Sequence, residues 1–191
     1  MQITFTQRAV ALDSDLETPV GLFLRLAGEL PGILLESAEV DGRWGRYSII
    51  GVDFLLCVSC RDGLLEVRTE DERLAPLHDF AGKPFIEGLR ELLRALHIEG
   101  APEQPPITRA LYGLLGYGLA GLFEPKAAFF LPPSEAEAFL ALPGSLILFD
   151  HGYNRITRLD LLLDGRNVLA LPDRGPVCRD AASEAFFAQI F

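Results

Sequence analysis

The fold is decided by residues 33–68, which read ILLESAEVDGRWGRYSIIGVDFLLCVSCRDGLLEVR. Short apolar runs alternate here with turn signals. Asp-Gly pairs at 41–42 and 62–63 suit hairpin turns, because glycine adopts positive φ at little cost. We expect four strands in this stretch, at residues 33–38, 46–52, 54–60 and 64–68. Their short connections predict an antiparallel meander.

A helix is predicted just before the meander. Thr18 is placed to cap it, and Pro19 occupies its first helical position. The apolar spacing i, i+3, i+4, i+7 predicts the buried face of this helix. That face would consist of Val20, Phe23, Leu24 and Ala27. The proline and glycine at 31–32 then end the helix.

The rest of the chain predicts further helices and strands. A helix over residues 84–96 would bury one apolar face, and residues 100–106 form a proline-rich loop. The expected buried face is Phe85, Leu89, Leu92, Leu93 and Leu96. Strands are predicted at 144–150, 155–163 and 167–170, and a helical pattern runs over 179–191.

The composition narrows the class of protein. The chain has 191 residues, of which 49% are hydrophobic, so it can bury a sizeable core and is not a disordered protein. Its formal net charge is -10, and its lysines and arginines form no cluster, so we expect neither nucleic acid nor a membrane surface as a partner. No signal peptide or membrane span is visible, and we expect a cytoplasmic protein.

No metal or redox site is predicted. Cys57 and Cys60 form a Cys-x-x-Cys pair, but on a strand they would point to opposite faces, and no second pair exists. The three histidines, at 78, 97 and 151, lack metal-ligand spacing. The glycines of residues 113–118 have the wrong spacing for a dinucleotide fingerprint.

Glu36 and Ser37 are unusual in an otherwise apolar strand. A carboxylate can accept hydrogen bonds from an ammonium group, and a hydroxyl can bond a carboxylate or an amine, so the pair would suit an amino-acid zwitterion. The alternative is structural, with Glu36 paired to Arg43 or Arg46 on the neighbouring strand. The residues alone favour the structural alternative.

Two motifs carry a family resemblance. Residues 34–38 (LLESA) followed by residues 45–51 (GRYSIIG) resemble the N-terminal region of anthranilate synthase component I, the chorismate-using large subunit of tryptophan synthesis. Residues 15–20 look like that family's helix start. Residues 113–125 are similar to its glycine-and-tyrosine segment, and residues 148–151 to its late strand and turn. The matches are in order along nearly the whole chain.

The resemblance implies an α+β fold, with mostly antiparallel sheets in a two-layer sandwich and helices packed outside. It implies that residues 1–191 are the N-terminal regulatory region, without the C-terminal chorismate-binding catalytic domain. No catalytic residue, metal ligand or cofactor is then expected in this chain, and the Mg²⁺ of the family belongs to the missing domain. The whole enzyme, a lyase, would make anthranilate and pyruvate from chorismate and glutamine-derived ammonia.

The resemblance also implies an allosteric site for L-tryptophan, the feedback inhibitor. Ser37 is the best candidate contact, with Leu35 and Glu36 beside it and Arg46 or Tyr47 reaching in from the next strand. The expected partners are tryptophan, the catalytic domain and a glutamine amidotransferase subunit. The positive mean hydropathy of +0.24 indicates either a large core or an apolar surface for a partner, and the resemblance implies that such a surface packs on the catalytic domain.

Two alternatives stay open. Aminodeoxychorismate synthase component I, of folate synthesis, shares the architecture, although Glu36 favours the anthranilate enzyme. The chain could instead be a stand-alone amino-acid-binding or assembly module. The product made by the complete protein and the binding of tryptophan by the isolated chain distinguish these alternatives.

Overall fold

The computed structural model describes residues 2–12, 17–26, 32–36, 45–124, 126 and 138–167. The helices are α1 (Pro19–Leu26), α2 (Phe85–Ala95) and α3 (Ala120–Phe123), with 3-10 turns at Glu72–Phe80, Pro106–Thr108 and Tyr117–Leu119. The strands are β1 (Ile3–Leu12), β2 (Gly32–Leu35), β3 (Tyr47–Arg61), β4 (Leu64–Arg68), β5 (Leu96–Glu99), β6 (Tyr112–Leu115), β7 (Ala138–Asp150), β8 (Arg155–Leu163) and β9 (Arg166–Asn167).

The strands form an open, mostly antiparallel sheet, in the order β2-β3-β7-β8-β1-β5, with β4 beside β3, β6 beside β7 and β9 beside β8. The predicted antiparallel meander is confirmed in part: β3 pairs antiparallel with both β2 and β4, but one strand replaces the two predicted at 46–52 and 54–60. The mixture of helices with a mostly antiparallel sheet agrees with the predicted α+β class. A two-layer sandwich stays a prediction.

The chain divides into two compact units. The first unit comprises residues 1–4, 55–97 and 111–142, and the second comprises residues 5–54, 98–110 and 143–191. In the first unit, α2 follows a hairpin in which β4 pairs with the end of β3. Backbone hydrogen bonds between Leu65 and Lys83 and from Gly82 to Leu65 fasten β4 to the start of this helix.

The second unit has an apolar core beneath α1. Its buried members are Leu22, Leu26, Ile50, Val52, Ile147, Phe149 and Ile156, and Leu12, Phe23 and Leu34 pack against them. The core therefore joins α1 to β3, β7 and β8. Strands β2, β3 and β7 approach one another closely at Gly51, since a Cβ added there would lie 3.1 Å from Pro143 and 3.2 Å from Ile33.

The predicted break between residues 52 and 54 is wrong. One strand, β3, runs continuously from Tyr47 to Arg61. Asp53 sits inside it with a left-handed φ of 59° and only 8% exposure. An aspartate tolerates this conformation better than most residues, so the strand accommodates a local irregularity without ending.

The helices predicted after Thr18 and over residues 84–96 are present, but their buried faces differ from the predictions. The hydroxyl of Thr18 accepts from the backbone N–H of Gly21 at 3.1 Å, which confirms the cap of α1. The buried side of α1 carries Leu22 and Leu26, whereas Val20 and Leu24 are 41% and 70% exposed. Because apolar residues lie on several sides of α1, their spacing does not select one face.

In α2 the predicted Phe85 and Leu92 are buried, together with Gly88 and Ala95. Leu93 is 47% exposed, which corrects its assignment to the core. The expected Ala27 and the helical pattern at 179–191 lie outside the described residues.

Candidate functional site

The antiparallel pairing of β2 with β3 brings the two resembling motifs together. Leu35 lies opposite Ile49, and Glu36 follows directly at the end of β2. Leu35 is 40% exposed and Glu36 is exposed to solvent. Ser37 lies outside the described residues. The end of β2 thus offers a carboxylate to solvent beside the start of β3.

Arg46 stands just before β3 and is held by a carboxylate from the end of β7. Its Nε donates to Oδ1 of Asp150 at 3.0 Å and its Nη2 to Oδ2 at 2.7 Å. This bidentate hydrogen bonding holds the pKa of the Asp150 carboxyl below its usual range and raises the pKa of Arg46. Because Arg46 pairs with Asp150, the structural alternative in which Arg46 pairs with Glu36 gains no support. The other partner in that alternative, Arg43, lies outside the described residues.

Two tyrosine rings flank the same guanidinium. The Cζ of Arg46 lies 4.8 Å from the ring centroid of Tyr47 and 4.8 Å from that of Tyr153. Tyr47 is half-buried, whereas Tyr153 is 65% exposed. Cation–π contacts of this kind restrict the orientation of the arginine side chain. The predicted residues Arg46 and Tyr47 are therefore in contact with each other.

A second polar link joins the start of β3 to the turn after β7. The buried hydroxyl of Ser48 and Nε2 of His151 share a hydrogen bond of 2.8 Å. The backbone N–H of His151 donates to the carbonyl of Arg46 at 2.9 Å. The His151 ring stacks on Phe149 with centroids 6.5 Å apart. The turn at residues 150–153 is thereby fastened to β3.

This arrangement suits the recognition of a free amino acid. Glu36 offers a negative charge for an ammonium group, and Arg46 offers N–H donors for a carboxylate. Tyr47 supplies an aromatic surface beside them. The register of β2 and β3 brings these three residues to one end of the strand pair.

Asp150, His151 and Tyr153 were not predicted as site residues. They lie about a hundred positions from their partners, since 104 residues separate Arg46 from Asp150. One signal was available in the sequence, because residues 150–154 read DHGYN, a polar turn between two apolar strands. No local spacing connects that turn to the start of β3.

A buried polar cluster lies elsewhere in the second unit. Asp160 is 2% exposed and accepts from Ser145 at 2.7 Å, from Arg158 at 2.8 Å and from Arg8 at 3.2 Å. Burial raises the pKa of the nearby Asp53 carboxyl, and the charge of Arg158 partly opposes that effect. Asp160, Ser145 and Asp53 are all buried, which indicates that this polar cluster has a structural role.

The described residues contain all three histidines and two of the three cysteines, Cys57 and Cys60. Among the described residues, no group of three or more His, Cys, Asp or Glu side chains could hold a metal ion. Cys57 is half-buried and Cys60 is buried, and both lie on β3. Burial raises the pKa of the Cys57 thiol, which lowers its reactivity.

The glycine segment at 113–118 forms β6 and the turn after it. Gly113 lies so close to β7 that an added Cβ would stand 1.9 Å from the carbonyl oxygen of Phe139. Its lack of a side chain therefore allows β6 to pack closely on β7.

None of the helices in the described part of the chain has the length and hydropathy that crossing a membrane requires.

An apolar groove of about 430 Å³ lies in the first unit, between α2 and the segment 115–123. Two of its lining residues, Leu115 and Phe123, are 62% and 65% exposed. Arg90 and Arg94 line it as well. The groove gives the first unit an exposed apolar surface of the kind that marks interaction sites.

Several known proteins that are similar to this chain are named anthranilate synthase component 1. The chain is 36% identical over 105 residues to anthranilate synthase component 1 of Arthrobacter globiformis, covering 54% of this chain and 19% of that protein. The resemblance to anthranilate synthase component 1 is confirmed. The component 1 of Cereibacter sphaeroides is 36% identical over 118 residues, which is 59% of this chain and 23% of the relative. That of Synechocystis is 29% identical over 159 residues, which is 81% of this chain and 30% of the relative.

The chain thus spans less than a third of the length of these anthranilate synthase components. No protein-family model matches it.

Proposed function

We propose that this chain is the non-catalytic, tryptophan-sensing region of an anthranilate synthase component 1. The observation that carries the proposal is the similarity to several components of that name at 26–36% identity. The complete protein would convert chorismate and glutamine-derived ammonia to anthranilate and pyruvate. Its chorismate site and Mg²⁺ would belong to a separate catalytic domain, and a glutamine amidotransferase subunit would supply the ammonia.

The proposed effector site comprises Glu36, Ser37 and Leu35 at the end of β2, with Arg46 and Tyr47 at the start of β3. The exposed carboxylate of Glu36 would receive the ammonium group of tryptophan. The guanidinium of Arg46 would receive the carboxylate, and Tyr47 would pack beside the ligand. The exposure of Leu35 and Glu36 supports this assignment, since neither side chain is used in the apolar core.

Inhibition requires that tryptophan bind one conformation of the complete protein better than another, because a ligand with equal affinity for both changes nothing. A catalytic domain packed on this chain would provide the two arrangements. The apolar groove beside α2 supports such packing, because it leaves large apolar side chains in solvent. Tryptophan bound at β2 and β3 would then favour the less active arrangement.

The test uses the complete gene product, assayed for anthranilate formed from chorismate and ammonium, with increasing L-tryptophan. Glu36→Ala and Ser37→Ala should raise the tryptophan concentration that gives half inhibition. A hydrogen bond to a charged group contributes about 1.5–3 kcal/mol, so the rise should be roughly 10- to 100-fold. Glu87→Ala, which removes an exposed carboxylate from α2, is the matched control and should leave the inhibition curve unchanged.

Two results would contradict the proposal. If the product is 4-amino-4-deoxychorismate, the chain belongs to the folate enzyme. If both variants are inhibited as strongly as the unmodified protein, the effector site lies elsewhere.

A further inference from the structure

Asp150 is more constrained than its position at a strand end requires. Its Oδ1 accepts from the backbone N–H groups of Gly152 at 3.1 Å and of Tyr153 at 3.3 Å, in addition to Nε of Arg46 at 3.0 Å. The turn thus orients the carboxylate through its own backbone. Its side chain is only 15% exposed. These two backbone hydrogen bonds orient the carboxylate independently of Arg46.

Arg46 differs from Asp150 in its exposure. Its side chain is 44% exposed, although it makes a bidentate ion pair and contacts two aromatic rings. A guanidinium has five N–H donors, and the pair with Asp150 uses Nε and one Nη. The ion pair therefore fixes the plane of the guanidinium while a large part of the side chain faces solvent. Such a group is ready to receive a second anion.

A second link fixes the distance between the turn and β3. Ser48 and His151 share a 2.8 Å hydrogen bond, and the backbone of His151 donates to the carbonyl of Arg46. Arg46 is thus held through both its side chain and its backbone. This rigid support lowers the ordering cost that an exposed arginine would otherwise incur when a ligand binds.

We infer that Asp150 is a positioning residue, which orients Arg46 toward the carboxylate of a free α-amino acid at the end of β2 and β3. This inference rests on the proposed function, because the effector is the same tryptophan. It adds Asp150, at the end of β7, to the site, and it explains why the site would prefer a ligand that carries a carboxylate. An indole compound without a carboxylate would not benefit from the oriented guanidinium.

The test measures binding of L-tryptophan and of tryptamine, which lacks the carboxylate, to the complete gene product by titration calorimetry. Asp150→Asn keeps the size of the side chain and an oxygen for the turn but removes the charge that fixes Arg46. We expect this change to weaken tryptophan binding about tenfold and tryptamine binding less than about twofold. Asp164→Asn, in another exposed turn, is the matched control and should change neither affinity.

The outcomes separate this inference from the proposed function. If the unmodified protein binds no tryptophan, the proposed function fails. If it binds tryptophan and Asp150→Asn weakens both ligands equally, Asp150 has only a structural role, and the inference is overturned. Unchanged tryptophan affinity in Asp150→Asn overturns it as well.

Discussion

Replacing Asp160 by alanine tests how far the buried polar cluster stabilises the second unit. The carboxylate is 2% exposed and accepts hydrogen bonds from Ser145, Arg158 and Arg8. Removing it leaves the guanidinium of Arg158, whose side chain is 15% exposed, without the carboxylate to which it is hydrogen-bonded. Breaking a buried ion pair in this way costs about 3–5 kcal/mol.

The structure places the expected cost near the lower end of that range. Arg8 is 38% exposed and can regain water when its partner is lost, whereas Arg158 has little access to solvent. We therefore expect Asp160→Ala to lower the free energy of unfolding by about 3 kcal/mol. Urea unfolding followed by circular dichroism measures this directly. Asp79→Ala, at an exposed position, is the control and should change stability by less than about 0.5 kcal/mol.

A double substitution tests the reason for the loss. If the uncompensated charge of Arg158 causes it, replacing Arg158 by methionine together with Asp160 by leucine should cost less than Asp160→Ala alone. A loss below about 1 kcal/mol in Asp160→Ala, or a double variant less stable than the single one, would refute this reasoning.

Three further outcomes are expected. Gly113→Ala should destabilise the first unit by about 3 kcal/mol or more, measured by thermal unfolding, because its Cβ would meet the Phe139 carbonyl oxygen at 1.9 Å and the backbone must move. Asp53→Asn should stabilise the chain at neutral pH. Burial raises the pKa of Asp53 in the folded state, so the unmodified chain loses stability as pH rises from the ordinary aspartate pKa through that raised value. In acid Asp53 is protonated in both states, so the advantage of asparagine should vanish there. An advantage that persists in acid would contradict this. Phe123→Ser should reduce self-association of the isolated chain in analytical ultracentrifugation, and an unchanged sedimentation profile would show that the apolar groove does not drive association.

Turn chemistry made part of the fold predictable. The Asp-Gly pairs at 62–63 and 164–165 both adopt positive φ at both residues, and β4 and β8 have the predicted bounds. These features depend on neighbouring residues alone. Thr18 caps α1 for the same reason.

Long-range contacts explain what could not be predicted. Strand β1 alternates buried and exposed residues, but its third inward residue is Gln7, which is 5% exposed. The Nε2 of Gln7 donates to the carbonyl of Thr108 at 3.0 Å, and its Oε1 accepts from the backbone N–H of Ala101 at 3.3 Å. A polar residue at a buried position hides the alternation unless those distant partners are known.

The candidate site shows the same division. Glu36 and Arg46 can be selected from sequence only through the motifs that resemble a known family, because the residues alone favour a structural role for Glu36. Asp150 and His151 cannot, because it is the neighbouring position of β3 and β7 in the sheet that brings them to the start of β3. The sequence therefore selects candidate ligand-binding groups, whereas the residues that contact them from a distant strand become visible only in the structure.

Comparison of three ion pairs shows how Arg46 differs from Arg158 and Arg61 as a candidate for binding an anion. Arg158 and Asp160 are 15% and 2% exposed, so their pair is closed to a ligand. Arg61 and Glu66 are 66% and 40% exposed and lie 3.5 Å apart, so their contact is too weak to orient either group. Arg46 combines a 2.7 Å bond to a carboxylate that is 15% exposed with 44% exposure of its own. Fixed orientation and access to solvent occur together in this pair, and both are needed for selective binding of a carboxylate.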